Sequence, residues 1–312
     1  MLFILEDTGI YNRNKKAFGK YLLATALFGA NGIVAAQISL SSYQIVFLRT
    51  VIGSLLMTAI FLISGRRFTF FRKPRNLSLM LISGLTMGGS WLLLYAGYNY
   101  LGVGLSSLLY YCGPVIVMAL SPVFFREKLT AGKLCCFALV LLGLVLVNGP
   151  LELTQGNIRL GVICGLLSAV MYAVMVICNK KMEGVGGMEN ATMQLVISFL
   201  LVGGVFMAKN GLDLTILPGD WPWIILLGAV NTALGCYFYF SAIGDLQVQT
   251  VAVCGYAEPL LAVILSVLLL GEKMSLLQWA GALLIIGGAV AAELTGNKNS
   301  KKIPGAPSGS AG

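Results

Sequence analysis

The chain contains no histidine and few charged residues. Of its 312 residues, only 11% are Asp, Glu, Lys or Arg, whereas soluble proteins carry about 25%. Zinc and haem sites usually take histidine ligands, and the seven cysteines form no Cys-x-x-Cys pair. No stretch matches the phosphate-binding motif G-x-x-x-x-G-K-[ST] or the nucleophile motif G-x-S-x-G. These absences argue against a soluble protein, an enzyme and ATP-driven coupling, and no cofactor or metal is expected.

The residues that are present are mostly apolar. Hydrophobic residues make up 58% of the chain and its mean hydropathy is +0.88, which indicates that its solvent is lipid. A bilayer needs about 20 apolar residues per helix. The apolar runs are long and do not alternate with polar residues, which favours transmembrane helices over the strands of a β-barrel. Ten spans are predicted, at roughly 18–38, 42–64, 77–97, 103–125, 132–149, 160–179, 191–208, 221–243, 248–270 and 275–294.

The distribution of Lys and Arg predicts the orientation. With the N-terminus inside, seventeen of the 21 basic residues lie in inside segments and three lie outside. The remaining one, Arg49, is within a span. Both termini are therefore expected in the cytoplasm. The net charge of +9 sits beside apolar runs rather than in a basic domain, so no nucleic-acid partner is expected.

Two stretches of the chain read as copies of each other at an offset of 145 residues. Tyr111 to Pro114 precedes an apolar run that ends in Arg126 to Leu129, and Tyr256 to Pro259 precedes one that ends in Gly271 to Met274. Internal repeats of hydrophobic units are typical of secondary transporters. Because each copy holds five spans, the second enters the membrane from the opposite side. The copies are thus predicted to be inverted repeats, which suits alternating access.

The predicted domains follow from this repeat. They are a cytoplasmic segment at 1–17, five-helix repeats at 18–149 and 160–294, and a disordered cytoplasmic tail at 295–312. The fold class is therefore an all-α membrane protein of ten transmembrane helices.

Over about residues 18–294 the chain resembles the ten-helix EamA-type branch of the drug/metabolite transporter superfamily. The motifs that carry the resemblance are Tyr-x-Glu-Pro at 256–259, Gly-Glu-Lys at 271–273, Gln278 with Gly281, the counterparts at 111–114 and 126–129, and Arg49. The resemblance implies two five-helix bundles around a central cavity and the transport of small metabolites or drugs.

Two charged residues inside predicted spans are the foremost site candidates. Glu258 lies about 15 Å deep, and a lone carboxylate there is costly unless it is protonated, paired or facing water. It is interpreted as a proton or cation site or, alternatively, as a group that holds the helix kink at Pro259. Arg49 is interpreted as an anion-binding group, as a snorkelling side chain or as a partner of Glu258. If both face a cavity, they suit a zwitterion.

Aromatic and polar side chains extend this candidate site. One face of the third predicted span carries the residues Gly84, Gly88, Trp91, Tyr95 and Tyr98. This stripe is interpreted either as a wall of the cavity or as helix packing together with an aromatic belt at the membrane interface. At the 145-residue offset they pair with Ala229, Ala233, Cys236, Phe240 and Ile243. The candidates for substrate binding or coupling are Glu258, Arg49, Trp91, Tyr95, Tyr111, Tyr256 and Asn31. Tyr110, Tyr172 and Gln194 are further polar residues near mid-depth, and Pro114 and Pro259 are the predicted gating positions.

The sequence thus predicts a secondary active transporter in the cytoplasmic membrane of a bacterium. Its substrate would be a small amino-acid-like metabolite, drug or organic cation, and export is the favoured direction. Coupling would come from an ion gradient, of which a proton gradient is one candidate, or from the substrate's own gradient. A channel or facilitator without ion coupling is the alternative. Lipid is its other partner, and a monomer is favoured over a homodimer.

The orientation can be tested with reporter fusions. Fusions at Asn299 and Gly156 should report a cytoplasmic and an extracellular location, respectively, because seventeen basic residues hold their segments inside. An extracellular signal from Asn299 would contradict both the ten-span count and the inverted repeat.

Overall fold

A computed structural model describes residues 2–126, 129–148, 157–210 and 214–270, and residues 275–291 apart from 278, 286, 289 and 290. This part of the chain is helical and contains no strand. The helices are α1 (Leu2–Gly29), α2 (Asn31–Ala35), α3 (Ser42–Ile63), α4 (Pro74–Tyr110), α5 (Cys112–Phe125), α6 (Ala131–Asn148), α7 (Ile158–Lys181), α8 (Gly187–Asn210), α9 (Trp221–Ile225), α10 (Gly235–Ala242), α11 (Val248–Cys254) and α12 (Ala257–Leu270). Helical backbone continues within 276–291.

Within the described ranges, six helical segments are long and apolar enough to cross a bilayer. They are Lys15–Ala35, Ser42–Ile63, Pro74–Leu101, Ile158–Lys181, Gly187–Lys209 and Pro218–Ala242. Their outward faces carry exposed apolar side chains such as Leu55, Ile63 and Leu200, while serine, threonine and asparagine side chains are buried between helices. That distribution fits a protein whose outer surface contacts lipid.

The third predicted span and the first part of the fourth are joined in one helix, α4. That helix is not straight. Nine residues of straight α-helix cover about 13 Å. A Cβ atom placed on Gly97 would nevertheless lie 3.1 Å from Oγ of Ser106, and the Tyr98 hydroxyl is 3.3 Å from the Ser107 hydroxyl. The chain therefore folds back between Gly97 and Ser106, close to the predicted boundary between these spans.

Two breaks interrupt the predicted fourth and ninth spans, and each follows from a proline. A proline lacks an N–H and clashes with the carbonyl four residues earlier. α5 begins after Tyr111 and α12 after Tyr256, so Pro114 and Pro259 occupy the third position of each new helix. The carbonyl of Gly255 instead accepts a hydrogen bond from the backbone N–H of Glu258, at 3.1 Å.

Glycines allow close helix contacts at two matching places. A Cβ on Gly84 of α4 would lie 2.6 Å from Cβ of Ile197 on α8, and one on Gly228 would lie 2.6 Å from Cβ of Ile52 on α3. Ile52 and Ile197 are 145 residues apart, the predicted offset.

A second pair of contacts follows the same pattern one turn further along. A Cβ on Gly88 would lie 3.0 Å from Cα of Ser198, and one on Gly53 would lie 3.0 Å from the Thr232 methyl. Gly84 and Gly88 thus correspond to Gly228 and Thr232, at an offset of 144. The predicted partners Ala229 and Ala233 are wrong by one residue.

This difference in register coincides with an unusual helix. Between α9 and α10, residues Leu226–Leu234 form a π-helix, in which each N–H bonds to the carbonyl five residues earlier and a turn holds more residues than in an α-helix. The matching part of α4 is α-helical. The two tyrosines of the repeat, Tyr111 and Tyr256, are 145 residues apart, so the extra residue lies between Thr232 and Tyr256.

Buried carboxylates bind backbone groups near the two ends of α3. Near its N-terminal end, Asp220 accepts a hydrogen bond from the Ser39 N–H at 3.1 Å. Beyond its C-terminal end, Glu189 on α8 accepts from the N–H groups of Thr69 and Phe70 and from the Thr69 hydroxyl. Each contact joins the first predicted repeat to the second.

Glycine substitutions test the helix packing. Gly88→Ala should destabilise the protein by about 1–3 kcal/mol, because its new methyl group would meet the backbone of Ser198. Gly204→Ala on α8 is the matched control, since a Cβ there meets nothing within 4 Å. Thermal denaturation in detergent measures both, and equal melting temperatures would contradict the packing.

Candidate functional site

A cavity of about 490 Å³ lies between α1, α3, α4, α7, α10 and α12. It brings together most of the residues predicted for the site, which are Asn31, Arg49, Trp91, Tyr95, Tyr111, Pro114 and Glu258. Two of the predicted residues, Tyr256 and Pro259, do not line it. The cavity extends from Glu258 to α2 and the start of α3.

Arg49 is a buried cation with most of its donors unused. Its side chain on α3 is 4% exposed, and its Nε donates a hydrogen bond of 3.0 Å to Oγ1 of Thr232. The guanidinium lies over the Trp91 ring, 4.7 Å from its centroid, in a cation–π contact. Arginine has five N–H donors, and among the described residues the other four meet no acceptor. An anionic group in the cavity would satisfy them.

Glu258 supplies the opposite charge. The carboxylate is in the first turn of α12, directly after the break at Gly255 and Tyr256, and Glu258 lines the cavity together with Tyr111. Within the part of the chain that the structure describes, the only ion pair closer than 4 Å joins Lys73 and Glu183. Arg49 and Glu258 therefore both line the cavity without being paired to each other.

Five tyrosines gather around this end of the cavity, and we call Tyr21, Tyr110, Tyr111, Tyr172 and Tyr239 the tyrosine cluster. The Tyr110 ring centroid is 5.5 Å from those of Tyr111 and Tyr172, and the hydroxyls of Tyr172 and Tyr239 are 3.3 Å apart. Tyrosine rings present a negative face that attracts ammonium groups. The cluster and Glu258 together make this end suitable for a cation.

The aromatic stripe of α4 divides between packing and the cavity. Gly84 and Gly88 contact α8, whereas Trp91, Tyr95 and Tyr98 line the cavity. Asn31 of α2 also lines the cavity, and its Oδ1 atom is buried and meets no hydrogen-bond donor among the described residues. The glycines of the stripe thus serve helix packing and its aromatic residues line the cavity, whereas an interfacial belt stays a prediction.

Two predicted polar residues lie elsewhere. Tyr256 is fully buried and donates a hydrogen bond of 2.7 Å to the carbonyl oxygen of Tyr111, so it supports the cavity wall from behind. Gln194 lies outside the cavity, where its amide nitrogen contacts Ser83, Asn179 and Asn190.

Sequence reasoning missed Tyr21, Tyr239 and Thr232. Tyr21 stands near the start of a predicted span, where tyrosine is common at the interface. The hydroxyl of Tyr21 in fact donates to the carbonyl of Val251 at 2.8 Å. Thr232 would have been paired with Gly88 only if the third and eighth predicted spans had been aligned at an offset of 144 residues instead of 145.

Comparison with known proteins gives this cavity a context. The model of the EamA-like transporter family matches residues 18–149 and 159–292. The chain belongs to the EamA-like transporter family. Its relatives are named as transporters and efflux pumps, so this transporter is not an enzyme and its partners include a small-molecule substrate.

The transporter is similar to several curated proteins along most of its length. It is 23% identical to the uncharacterized transporter YxxF of Bacillus subtilis, over 91% of each chain. It is 28% identical to a probable amino-acid metabolite efflux pump of Salmonella typhimurium, over 73% of this chain and 83% of that protein. It is 23% identical to the pseudopaline exporter CntI of Pseudomonas aeruginosa, over 83% and 89%.

A solved crystal structure shows the same fold. It superposes with a TM-score of 0.79 over 92% of this chain and 99% of that chain, at 18% identity.

Two tyrosine variants separate the cavity wall from its support. Tyr256→Phe should destabilise the fold by about 1 kcal/mol, through loss of one hydrogen bond, and leave the groups facing the cavity in place. Tyr111→Phe should impair transport at nearly unchanged stability, because it removes a hydroxyl group from a residue that lines the cavity together with Glu258. Melting temperature and transport rate are measured for both, and the reverse assignment of effects would contradict this geometry.

Proposed function

We propose that the protein is a secondary active transporter of small amino-acid-like zwitterions. The observation that carries this proposal is the pair of opposite charges, Arg49 and Glu258, which face one cavity without an ion pair between them. Buried charges inside a membrane are costly and usually paired or functional. A ligand with both a carboxylate and an ammonium group would neutralise the two residues at once.

The chemistry of each end supports an orientation for this ligand. Its carboxylate would accept hydrogen bonds from the unused amino groups of Arg49, since guanidinium and carboxylate have matching planar geometries. Its ammonium group would lie by Glu258 and the tyrosine cluster. The cavity volume of about 490 Å³ admits a ligand of amino-acid size, and the aromatic stripe offers apolar contact for its side chain.

Relatives support the substrate class and the direction. One relative is named a probable amino-acid metabolite efflux pump and another a pseudopaline exporter. We extend export of amino-acid-derived metabolites to this protein on that basis. Organic cations are the second candidate class, favoured by the tyrosine cluster.

The proposed mechanism is alternating access between two inverted five-helix repeats, at 18–149 and 160–294, with ten spans and both termini in the cytoplasm. The glycine contacts that recur at offsets of 144 and 145, and the two matches of the family model, support the repeat. The breaks before Pro114 and Pro259 lie beside the cavity, as in transporters with discontinuous helices.

We propose a monomer in a bacterial inner membrane, with Glu258 carrying a proton. A facilitator without ion coupling is the alternative.

Neutral variants of the two charged residues test the proposal. In proteoliposomes, the wild type should show saturable uptake of labelled amino acids that an imposed pH gradient drives. Arg49→Gln should weaken binding of amino acids by at least about tenfold while sparing the corresponding decarboxylated amines, because it removes the partner of the carboxylate. Glu258→Gln should abolish coupling to the pH gradient.

Folding is checked for each variant by monodisperse elution in size-exclusion chromatography. Lys73→Gln is the matched charge control, because its ion pair with Glu183 is exposed and remote from the cavity. Wild-type flux with unchanged pH dependence in Glu258→Gln would contradict the coupling role. An unchanged preference for amino acids over amines in Arg49→Gln would contradict the zwitterion.

A further inference from the structure

We propose that Thr232, held by the π-helix at Leu226–Leu234, is the positioning residue that orients Arg49 toward the ligand. This inference rests on the proposed role of Arg49 as the carboxylate-binding group. Thr232 does not line the cavity, and it reaches the ligand only through Arg49.

The Thr232 hydroxyl takes part in two hydrogen bonds with fixed directions. It donates to the carbonyl oxygen of Leu227 at 2.7 Å and accepts from Nε of Arg49 at 3.0 Å. A hydroxyl has one hydrogen, so donation to Leu227 leaves only lone pairs for the arginine. The side chain is fully buried, and water cannot replace either contact.

The π-helix sets the direction of the hydroxyl. In an α-helix a threonine hydroxyl bonds to a carbonyl three or four residues earlier, as Thr50 does with Phe47 and Val46. Thr232 bonds instead to the carbonyl five residues earlier, which is the spacing of a π-helix.

The other face of Thr232 is fixed by a glycine. The Thr232 methyl lies 3.0 Å from the position of a Cβ on Gly53, which is one turn beyond Arg49 on α3. With no side chain at Gly53, the π-helix approaches α3 closely enough for the hydroxyl to reach Arg49. The methyl and the hydroxyl of Thr232 therefore contact the same helix at two successive turns.

These contacts divide the donors of Arg49 between protein and ligand. Thr232 accepts the hydrogen bond from Nε, and the Cζ atom of the guanidinium lies over the Trp91 ring. The terminal amino groups meet no acceptor among the described residues, so they are left for a carboxylate. Without Thr232 the guanidinium would lose its fixed orientation while keeping its charge.

The first measurement requires no substrate. The protein is labelled with ¹⁵N-arginine, and hydrogen exchange at Nε is followed by NMR. Arg49 is the only buried arginine among the described residues, so it should give the protected Nε–H signal, assigned with Arg49→Lys. Thr232→Val, which removes the hydroxyl at similar volume, should accelerate exchange by about tenfold or more, and Thr232→Ser should restore protection.

The second measurement separates orientation from general damage. Binding of L-phenylalanine is compared with that of phenethylamine, which lacks the carboxylate. Thr232→Val should weaken phenylalanine binding by about tenfold and leave phenethylamine binding nearly unchanged, whereas Thr232→Ser should bind both as the wild type does. Thr50→Val is the matched control, because that buried hydroxyl bonds only to its own helix.

The outcomes distinguish this inference from the proposed function. Wild-type exchange at Arg49 in Thr232→Val, or an equal loss of both ligands, would overturn the positioning role. If the wild type binds neither ligand, the result counts against the proposed substrate class, and the exchange experiment still decides the role of Thr232.

Discussion

The buried guanidinium of Arg49 imposes the constraint on which the site depends. A charge inside a membrane protein needs partners, and neither lipid nor an apolar helix supplies them. Here the partners come from three directions, as a threonine from the π-helix, an indole ring from α4 and an open cavity. The ring of Trp91 screens one face, and Thr232 satisfies one donor. The remaining donors keep the cavity polar at this end. This end is therefore suited to ligands that carry an anionic group.

The two halves of the chain use equivalent positions for different purposes. Gly113 corresponds to Glu258, and a Cβ on Gly113 would lie 2.7 Å from the Tyr172 ring. The glycine therefore gives room to a member of the tyrosine cluster, and the acid in the other half provides the charge that this cluster surrounds. Arg49 corresponds likewise to Gln194, which is neutral and surrounded by other polar side chains away from the cavity. The charged residues of the site thus lie at positions where the two halves of the sequence differ.

Much of this arrangement could be predicted from the sequence, for reasons that particular residues show. Glu258 and Arg49 were recognisable because a charge within an apolar run is rare, and the cavity contains both. Trp91 and Tyr95 follow from their helical spacing on one face.

Other features could not be predicted. The neighbours of Tyr256 in the motif place it in the site, yet its hydroxyl donates a hydrogen bond to a backbone carbonyl instead. Thr232 could not be found, because its role depends on a π-helix, and a helix with an extra residue per turn leaves no mark in hydropathy. The fold-back within α4 lies close to the predicted boundary between two apolar runs, although the backbone stays helical around it.

The contacts near the ends of α3 differ in strength. Among the described residues, Glu189 accepts three hydrogen bonds beyond one end, whereas Asp220 accepts one near the other end of this helix of 22 residues, which is about 33 Å long. Hydrogen bonds to charged groups contribute about 1.5–3 kcal/mol each, so the polar contacts of Glu189 contribute more than the single one of Asp220. The cavity reaches α2 and the start of α3, at the end where Val34 and Ile45 also pack with Ile224 and Leu227 in a buried apolar cluster. The two ends of α3 are therefore held to the second half of the chain in different ways, by several hydrogen bonds to a carboxylate at one end and mainly by apolar contacts beside the cavity at the other.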